Sequence, residues 1–165
     1  DFASKFLNIN KLDSHRPCSL LNAVNQSKEI FEFSLKSNQI TLDTNIDKNL
    51  IIDVPFNVAF LAIANLLSNA KDAIGKRGGG IKIEAENVED MIHCYVTNDG
   101  PSIDPGIQDR IFQIGVTTKR NSGGWGLYLV SRALIENRGH IELTTSVSGE
   151  TKFTIRFPQV REEQT

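Results

Sequence analysis

The sequence predicts an α+β fold, in which helices cover one face of a mostly antiparallel sheet. Two observations carry this prediction. Three long segments have apolar residues at helical spacing, and two pairs of alternating segments are each joined by a short polar turn. The composition agrees, because 39% hydrophobic and 23% charged residues in a chain of 165 are typical of one globular domain.

The predicted helices have recognisable ends. Ser19 is a predicted N-cap, and an apolar stripe at helical spacing follows it as far as Leu35. A second helix is predicted over residues 55–74, because a proline opens this segment and a glycine follows it. A third helix is predicted over 125–137, after a short helix that ends at Phe112.

Alternation of apolar and polar residues predicts the strands, since successive side chains of a strand point to opposite faces. The predicted strands, the last four forming two hairpins, span residues 39–46, 81–85, 92–96, 141–147 and 153–157. A glycine loop is predicted over 78–80, and a turn-rich segment over 98–106.

The charge and the cysteines exclude several classes of protein. The 18 basic and 20 acidic residues give a net charge of −2, so we expect no nucleic-acid partner and no membrane contact. Cys18 and Cys94 lie too far apart for a zinc site or a disulfide framework, which favours a reducing cytoplasm. No apolar segment approaches the roughly 20 residues of a membrane span.

The first candidate site lies on the second predicted helix. Asn65, Asn69 and Asp72 stand at positions i, i+4 and i+7 and therefore share one face. Amide oxygens suit a hard cation such as Mg²⁺, and an unpaired buried amide costs about 1–3 kcal/mol. From the spacing alone, a ligand site and ordinary capping of nearby backbone both remain open.

The second candidate is the turn that follows the strand ending near Val96. Asn98 and Asp99 precede Gly100, and an amide or carboxylate oxygen here could accept a hydrogen bond from an exocyclic amine such as that of adenine. Taken alone, the segment favours an ordinary Asp-Gly turn.

The third candidate is a polar segment directly before the third helix. Free backbone N–H groups and the helix dipole favour an anion at such a place, whereas the alternative is a solvated loop. Its hydroxyl, cationic and glycine residues are Thr117, Thr118, Lys119, Gly123, Gly124 and Gly126. The spacing fits neither a P-loop nor a dinucleotide-binding turn.

Taken in order, these segments resemble the ATP-binding catalytic domain of two-component sensor histidine kinases, which has the Bergerat fold. The resemblance covers about residues 19–158 and is carried by several motifs. The N box is similar to residues 65–73, the first glycine box to 98–103, the F box and lid to 110–112 and 117–119, and the second glycine box to 124–127. Thr151 occupies the position of a threonine that this family places beneath the adenine.

The resemblance implies a two-layer α/β sandwich with a mixed, mainly antiparallel sheet covered by helices on one face. It implies ATP and Mg²⁺ as ligands, with Asn69 on the metal and Asn65 supporting phosphate or metal. Asn98 or Asp99 would read the adenine amine, while Lys119 and the backbone of the second glycine box would hold phosphates. The remaining residues of the implied nucleotide site are Asp72, Gly100, Ile103, Thr117, Thr118, Gly123, Gly124, Gly126, Leu127 and Thr151.

The resemblance also implies an activity. Gyrase-like and chaperone-like ATPases carry a glutamate at position 65 as a general base, whereas the amide of Asn65 cannot take a proton from water. Transfer to a protein histidine is therefore favoured over hydrolysis. The implied partners are the dimerisation and phosphoacceptor domain of the parent kinase and a downstream response regulator.

Three departures from the family pattern keep alternatives open. Asn98 precedes Asp99 where the family has the reverse order, Ser122 and Trp125 alter the second glycine box, and no histidine has the surroundings of a phosphoacceptor. A non-enzymatic nucleotide- or partner-binding module of the same fold, or a serine kinase of the anti-sigma-factor type, are the alternatives. We expect an extension over 1–18 that is a remnant of the dimerisation helix, the catalytic domain over 19–160, and a tail over 161–165, with membrane anchoring of the parent left open.

Overall fold

A computed structural model describes residues 16–117 and 124–160, and its helices follow the predicted order. The helices are α1 (Leu20–Ser37), α2 (Phe56–Ile74) and α3 (Gly126–Glu136). Ser19 is the N-cap of α1, since its side chain accepts a hydrogen bond from the Asn22 backbone N–H at 3.3 Å.

In the described ranges 16–117 and 124–160, seven strands form two sheets. They are β1 (Cys18–Ser19), β2 (Ile40–Asn45), β3 (Ile51–Ile52), β4 (Gly79–Val88), β5 (Met91–Asn98), β6 (His140–Val147) and β7 (Glu150–Pro158). The main sheet has the order β2-β4-β5-β7-β6, with β2 and β4 parallel and every other pair antiparallel. β1 and β3 pair separately as a small antiparallel ladder.

The three helices cover one face of the main sheet. In β5, Ile92, Cys94 and Val96 are buried and alternate with half-buried His93 and Tyr95 on the other face. The buried side chains pack against α2, which also contacts α1 and α3. This confirms the predicted two-layer arrangement with a mixed, mainly antiparallel sheet.

The structure differs from the predicted elements in three places. Gly79 and Gly80 begin β4 instead of forming a loop, because they pair with Ile40 and Thr41 of β2. The short helix before Phe112 is a 3₁₀ turn over Gln108–Arg110. A short strand, β1, precedes α1 where the sequence predicted none, since Cys18 is buried and pairs with Ile52.

An ion-pair network ties the start of the described chain to the end of α3. The Asp53 carboxylate accepts hydrogen bonds from Arg16 Nε at 2.8 Å and from Arg138 Nη2. Arg16 also donates to the Asp53 carbonyl oxygen. Hydrogen bonding to the Arg16 guanidinium, reinforced by Arg138, holds the pKa of the Asp53 carboxyl below its ordinary value, against the opposing effect of burial.

The described helices are either too short or too polar for a transmembrane helix. Residues 1–15 of the predicted extension and the predicted tail over 161–165 lie outside the described residues.

Candidate functional site

A cavity of about 380 Å³ opens between α2 and the sheet, at the end of β5. Its walls come from α2, β5, the segment that follows β5, the start of α3, and β7. Nine of the residues nominated from the sequence line it: Asn69, Asp72, Asn98, Ile103, Thr117, Gly124, Gly126, Leu127 and Thr151. Segments far apart in the chain therefore meet in one place.

The other nominated residues are placed differently. Gly100 lies beside the cavity wall and donates its N–H to Asn98. Asn65 and Asp99 do not line the cavity among the described residues. Thr118, Lys119 and Gly123 lie outside the part of the chain that the structure describes.

Asn65 lies behind the cavity and positions its neighbours. It is 8% exposed, and its Oδ1 accepts a hydrogen bond from Asn69 Nδ2 at 3.2 Å, one helical turn later. Its amide nitrogen lies against Gly126, where an added Cβ would be 2.4 Å away. Asn65 therefore contacts both Asn69 and the start of α3.

The second glycine segment depends on the absence of side chains. Gly124 has φ +66°, and a Cβ there would lie 2.6 Å from the Gly115 carbonyl carbon. The glycine at 126 lets the first turn of α3 approach α2. Trp125, at the N-cap position, makes no capping hydrogen bond through its side chain. The N-cap residue of this 11-residue helix therefore leaves the first backbone N–H groups without a cap from its own side chain, which suits an anion site.

Asn98 and Thr151 form the polar end of the cavity on the sheet. They are directly opposite each other on β5 and β7, and they are 6% and 3% exposed. Asn98 Oδ1 accepts from the Gly100 N–H at 2.9 Å, and Thr151 Oγ1 lies 3.5 Å from Ser146 Oγ. Two hydrogen-bonding side chains are thus presented within an otherwise apolar wall.

Asp99 points to a different part of the surface. Its Oδ2 accepts from the Gly80 N–H at 2.9 Å, and its Oδ1 is 3.6 Å from Arg77 Nη2. It lines a shallow depression with Thr41, Asp43 and Gly80. Of the two residues left open by the sequence, Asn98 is the one that faces the cavity.

Most of the apolar residues that line the cavity were not predicted as site residues from the sequence. Those residues are Leu66, Ala70, Ala73, Val96, Pro101, Ile107, Ile111, Val116 and Phe153. Phe153 is supported by an edge-on contact with Phe112, with ring centroids 6.3 Å apart. The only signal for Val96 and Phe153 was the strand alternation, which does not separate cavity walls from closed core.

Ser146 is a further residue that the sequence did not indicate. Its Oγ accepts a hydrogen bond from the Ile103 N–H at 2.7 Å, and this contact fixes the segment after β5 against β6. Gln108 Nε2 donates a hydrogen bond to the Ile103 carbonyl oxygen at 2.9 Å. Ile103, one of the nominated residues, is thereby held at the cavity wall from both sides.

The amide of Asn69 fits a cation that takes oxygen ligands. Its nitrogen donates to Asn65, so the amide oxygen is the atom that would contact such a cation, and the Asp72 carboxylate lies on the same wall. Asp72 also forms an ion pair with Lys71 at 2.9 Å. Residues 16–117 and 124–160 contain no group of three or more His, Cys, Asp or Glu side chains that could hold a metal ion. This pattern suits Mg²⁺, which is commonly held by one or two side chains together with phosphates and water.

The cavity combines features suited to a flat polar ring and to an attached anion. Aliphatic side chains and the Phe153 ring form the walls, and Asn98 and Thr151 provide hydrogen bonds at one end. The first turn of α3, with Gly124 and Gly126, provides backbone donors at the other.

The comparisons with known proteins agree with this geometry. The family described as "Histidine kinase-, DNA gyrase B-, and HSP90-like ATPase" matches residues 58–161. The sensor histidine kinase DcuS of Escherichia coli (strain K12) is 35% identical over 97 residues, which are 58% of this chain and 18% of DcuS. The chain thus spans about a fifth of the length of this relative.

Solved structures share the fold. The nucleotide-free catalytic domain of histidine kinase ThkA superposes with a TM-score of 0.79 at 23% identity, covering 87% of this chain and 94% of that domain. ThkA in complex with the response regulator protein TrrA superposes with a TM-score of 0.72 at 19% identity, covering 90% of this chain and 42% of that one.

Proposed function

Because the chain belongs to the family of histidine kinase-, DNA gyrase B- and HSP90-like ATPases, we propose that it binds Mg-ATP in this cavity and presents the γ-phosphate to a histidine of another domain. The observation that carries the proposal is the meeting of Asn69, Asn98 and the uncapped start of α3 around one cavity. We infer a cytoplasmic location, because the cysteines form no disulfide framework.

Different residues of the cavity contact the base and the phosphates of the nucleotide. The base lies between the aliphatic residues of α2 and the Phe153 side of the sheet, with its polar edge towards Asn98 and Thr151. The phosphates lie at the start of α3, where backbone N–H groups and the helix dipole stabilise negative charge. Lys119, in the segment before α3, is proposed as a further phosphate contact.

Asn69 is the proposed ligand of Mg²⁺, through its amide oxygen. When bound, the cation would offset the charge on the phosphates, as expected for phosphoryl transfer. The hydrogen bond from Asn69 Nδ2 to Asn65 Oδ1 restrains the orientation of this amide. Asn65 therefore contributes by positioning Asn69.

The amide at position 65 favours transfer over hydrolysis. An amide has no basic site near neutral pH, so it cannot remove a proton from an attacking water. Its Oδ1 accepts from Asn69, and its amide nitrogen lies against Gly126. The remaining contributions of the chain are positioning and charge stabilisation, which are sufficient when another domain supplies a histidine.

The proposed partners follow from the relatives. The similarity to DcuS and to ThkA, which has been solved with a response regulator, supports a phosphoacceptor domain as immediate partner and a response regulator downstream. DcuS is a sensor histidine kinase, and this chain matches a region that is 18% of its length.

Calorimetric titration with a non-hydrolysable ATP analogue tests nucleotide binding. We expect binding that requires Mg²⁺ and is lost in Asn69→Ala, because the metal ligand is removed. Asn25→Ala is the matched control, since Asn25 is an exposed residue of α1. Absence of binding to the folded wild-type chain would contradict the proposal and favour a module that binds only a protein partner.

Phosphorylation of a separately supplied phosphoacceptor domain tests the transfer. The expected product is labile to acid, as phosphohistidine is. An acid-stable product would favour a serine kinase, and release of free phosphate without transfer would indicate an ATPase. Bound nucleotide with neither product would identify a non-enzymatic module.

A further inference from the structure

The second half of β6 contains a β-bulge close to the cavity. Leu143 of β6 pairs with Phe153 of β7, and regular pairing resumes at Thr145. Thr144 is therefore an extra residue in β6, and its hydroxyl is hydrogen-bonded to that of Thr154 on β7. Because one strand gains a residue relative to its partner, the side chains that follow the bulge change faces of the sheet.

The bulge places Ser146 on the side of the sheet that carries the cavity. Strict alternation from Leu143 would put residue 145 on the helix-facing side and residue 146 on the opposite face. With the extra residue, Ser146 pairs with Thr151, which lines the cavity, and their hydroxyl oxygens are 3.5 Å apart. β-Bulges next to functional sites often re-aim a side chain in this way.

Ser146 also joins the segment after β5 to the sheet. Its Oγ accepts a hydrogen bond from the Ile103 N–H at 2.7 Å. Within residues 16–117 and 124–160, this is the one hydrogen bond between residues 101–106 and a strand. The Ile103 carbonyl oxygen is bound by Gln108, which belongs to the same irregular part of the chain. One hydroxyl therefore contacts two residues of the cavity lining, Ile103 and Thr151.

We infer that Ser146 is a positioning residue for the base of the nucleotide, although it does not itself line the cavity. It restrains Ile103 and Thr151 before a ligand arrives, so less conformational freedom is lost on binding. The bulge at Thr144 is the feature that makes this possible. The inference rests on the proposed nucleotide function and deepens it, because it assigns a residue outside the cavity that sets the affinity for the base.

Calorimetric titration of the 165-residue chain with Mg-ADP tests the inference. Ser146→Ala leaves the Ile103 N–H without its acceptor, so we expect the dissociation constant to rise about five- to tenfold. Ser146→Thr keeps the hydroxyl and should stay within about twofold of wild type. Thr145→Ala is the matched control, since it removes a hydroxyl from the next residue, which pairs with Lys152 on the other face.

Amide hydrogen exchange separates positioning from a general loss of stability. In Ser146→Ala, we expect the Ile103 N–H to exchange faster than in wild type, because its hydrogen bond is lost. The N–H of Ile155, in the middle of β7, should exchange at the wild-type rate. Faster exchange at both positions would show that the substitution acts on the whole sheet, and it would contradict a positioning role.

Deletion of Thr144 tests the bulge itself. It restores strict alternation and moves Ser146 to the opposite face without removing its hydroxyl. We expect this variant, once circular dichroism shows it to be folded, to bind Mg-ADP at least as weakly as Ser146→Ala.

The outcomes separate the two proposals. Wild-type affinity in Ser146→Ala, or an equal loss in Ser146→Thr, would overturn the inference and leave the nucleotide site standing. Wild-type affinity in the folded deletion variant would overturn the role of the bulge in the same way. Failure of the folded wild-type chain to bind Mg-ADP would overturn the proposed function and the inference with it.

Discussion

At the scale of single residues, Gly126 illustrates a position where packing overrides helix propensity. Alanine in a helix is normally more favourable than glycine by about 1 kcal/mol. Here the added Cβ would lie 2.4 Å from the buried amide of Asn65. We therefore expect Gly126→Ala to lower the free energy of unfolding by about 1–3 kcal/mol and to weaken nucleotide binding, as measured by denaturation and calorimetry.

The matched substitution is Ser131→Ala, in the middle of the same helix. It should leave binding intact, since Ser131 is outside the cavity lining. A Gly126→Ala variant as stable as wild type would show that the start of α3 can move away from Asn65.

Single residues also show which parts of the candidate site could be predicted from the sequence. The sequence indicated Asn69 by its spacing and Asn98 by its turn, and the family resemblance implied Thr151; all three line the cavity. It did not separate Asn98 from Asp99, because either could end the strand. The strand alternation separates them once its end is known, since β5 ends at Asn98 and the side chain there follows Val96 on the helix-facing side. The contact of Asn65 with Gly126 could not be predicted, because Gly126 lies 61 residues later in the sequence.

At the scale of elements, the start of α3 provides an optical signal. Trp125, the single tryptophan, lies between two cavity glycines, is 45% exposed, and contacts the Tyr128 ring at a centroid distance of 6.3 Å. We expect Mg-ADP to change the tryptophan emission saturably, with the same dissociation constant as calorimetry gives. The signal should be absent in Asn69→Ala. Constant emission at saturating nucleotide would place the phosphates away from this helix.

The Asp53 network connects three elements and predicts a pH dependence. Because its pKa is lowered in the folded state, the carboxyl stabilises the protein above its unfolded-state pKa of 3.8, and this contribution is lost as the pH falls further. We expect Asp53→Asn to cost about 1 kcal/mol at pH 7, or roughly 2–4 °C in Tm. The difference from wild type should shrink towards pH 3.

Asp90→Asn, in the turn between β4 and β5, provides the comparison for this pH series, because Asp90 is an exposed carboxyl outside the network. Equal pH profiles for the two asparagine variants would argue against a special contribution of Asp53.

The elements that were not predicted from the sequence were missed for the same physical reason. β1 and β3 have two residues each, which is too short for any periodicity to be visible. Gly79 and Gly80 have no side chains to show alternation, and their strand conformation comes from pairing with β2, a parallel partner across a long connection. Helices and hairpins were predictable because their patterns are local, whereas these pairings are set by tertiary contacts.

At the scale of the whole molecule, Cys94 reports the opening of the sheet. It is fully buried in the central strand, and burial raises the pKa of its thiol to about 12. In a Cys18→Ser variant it is the sole thiol, so labelling at pH 8 should require unfolding. Nucleotide at 100 times its dissociation constant should slow the labelling about 100-fold.

Asn69→Ala should lose this protection, because it lacks the proposed metal ligand. Labelling that stays unchanged at saturating nucleotide would show that β5 opens without disrupting the cavity.

The pairing of Ile52 has a topological consequence. This residue is paired with Cys18 on one side and bridged to Gln159 on the other, so both ends of the packed unit flank the same short strand. With neighbouring strands about 4.8 Å apart, the two ends are separated by roughly 10 Å, which about three or four extended residues can span. Residues 16–160 closed into a ring by such a linker should keep every strand pair and unfold at a higher temperature than the linear form, because the unfolded ring has less conformational entropy.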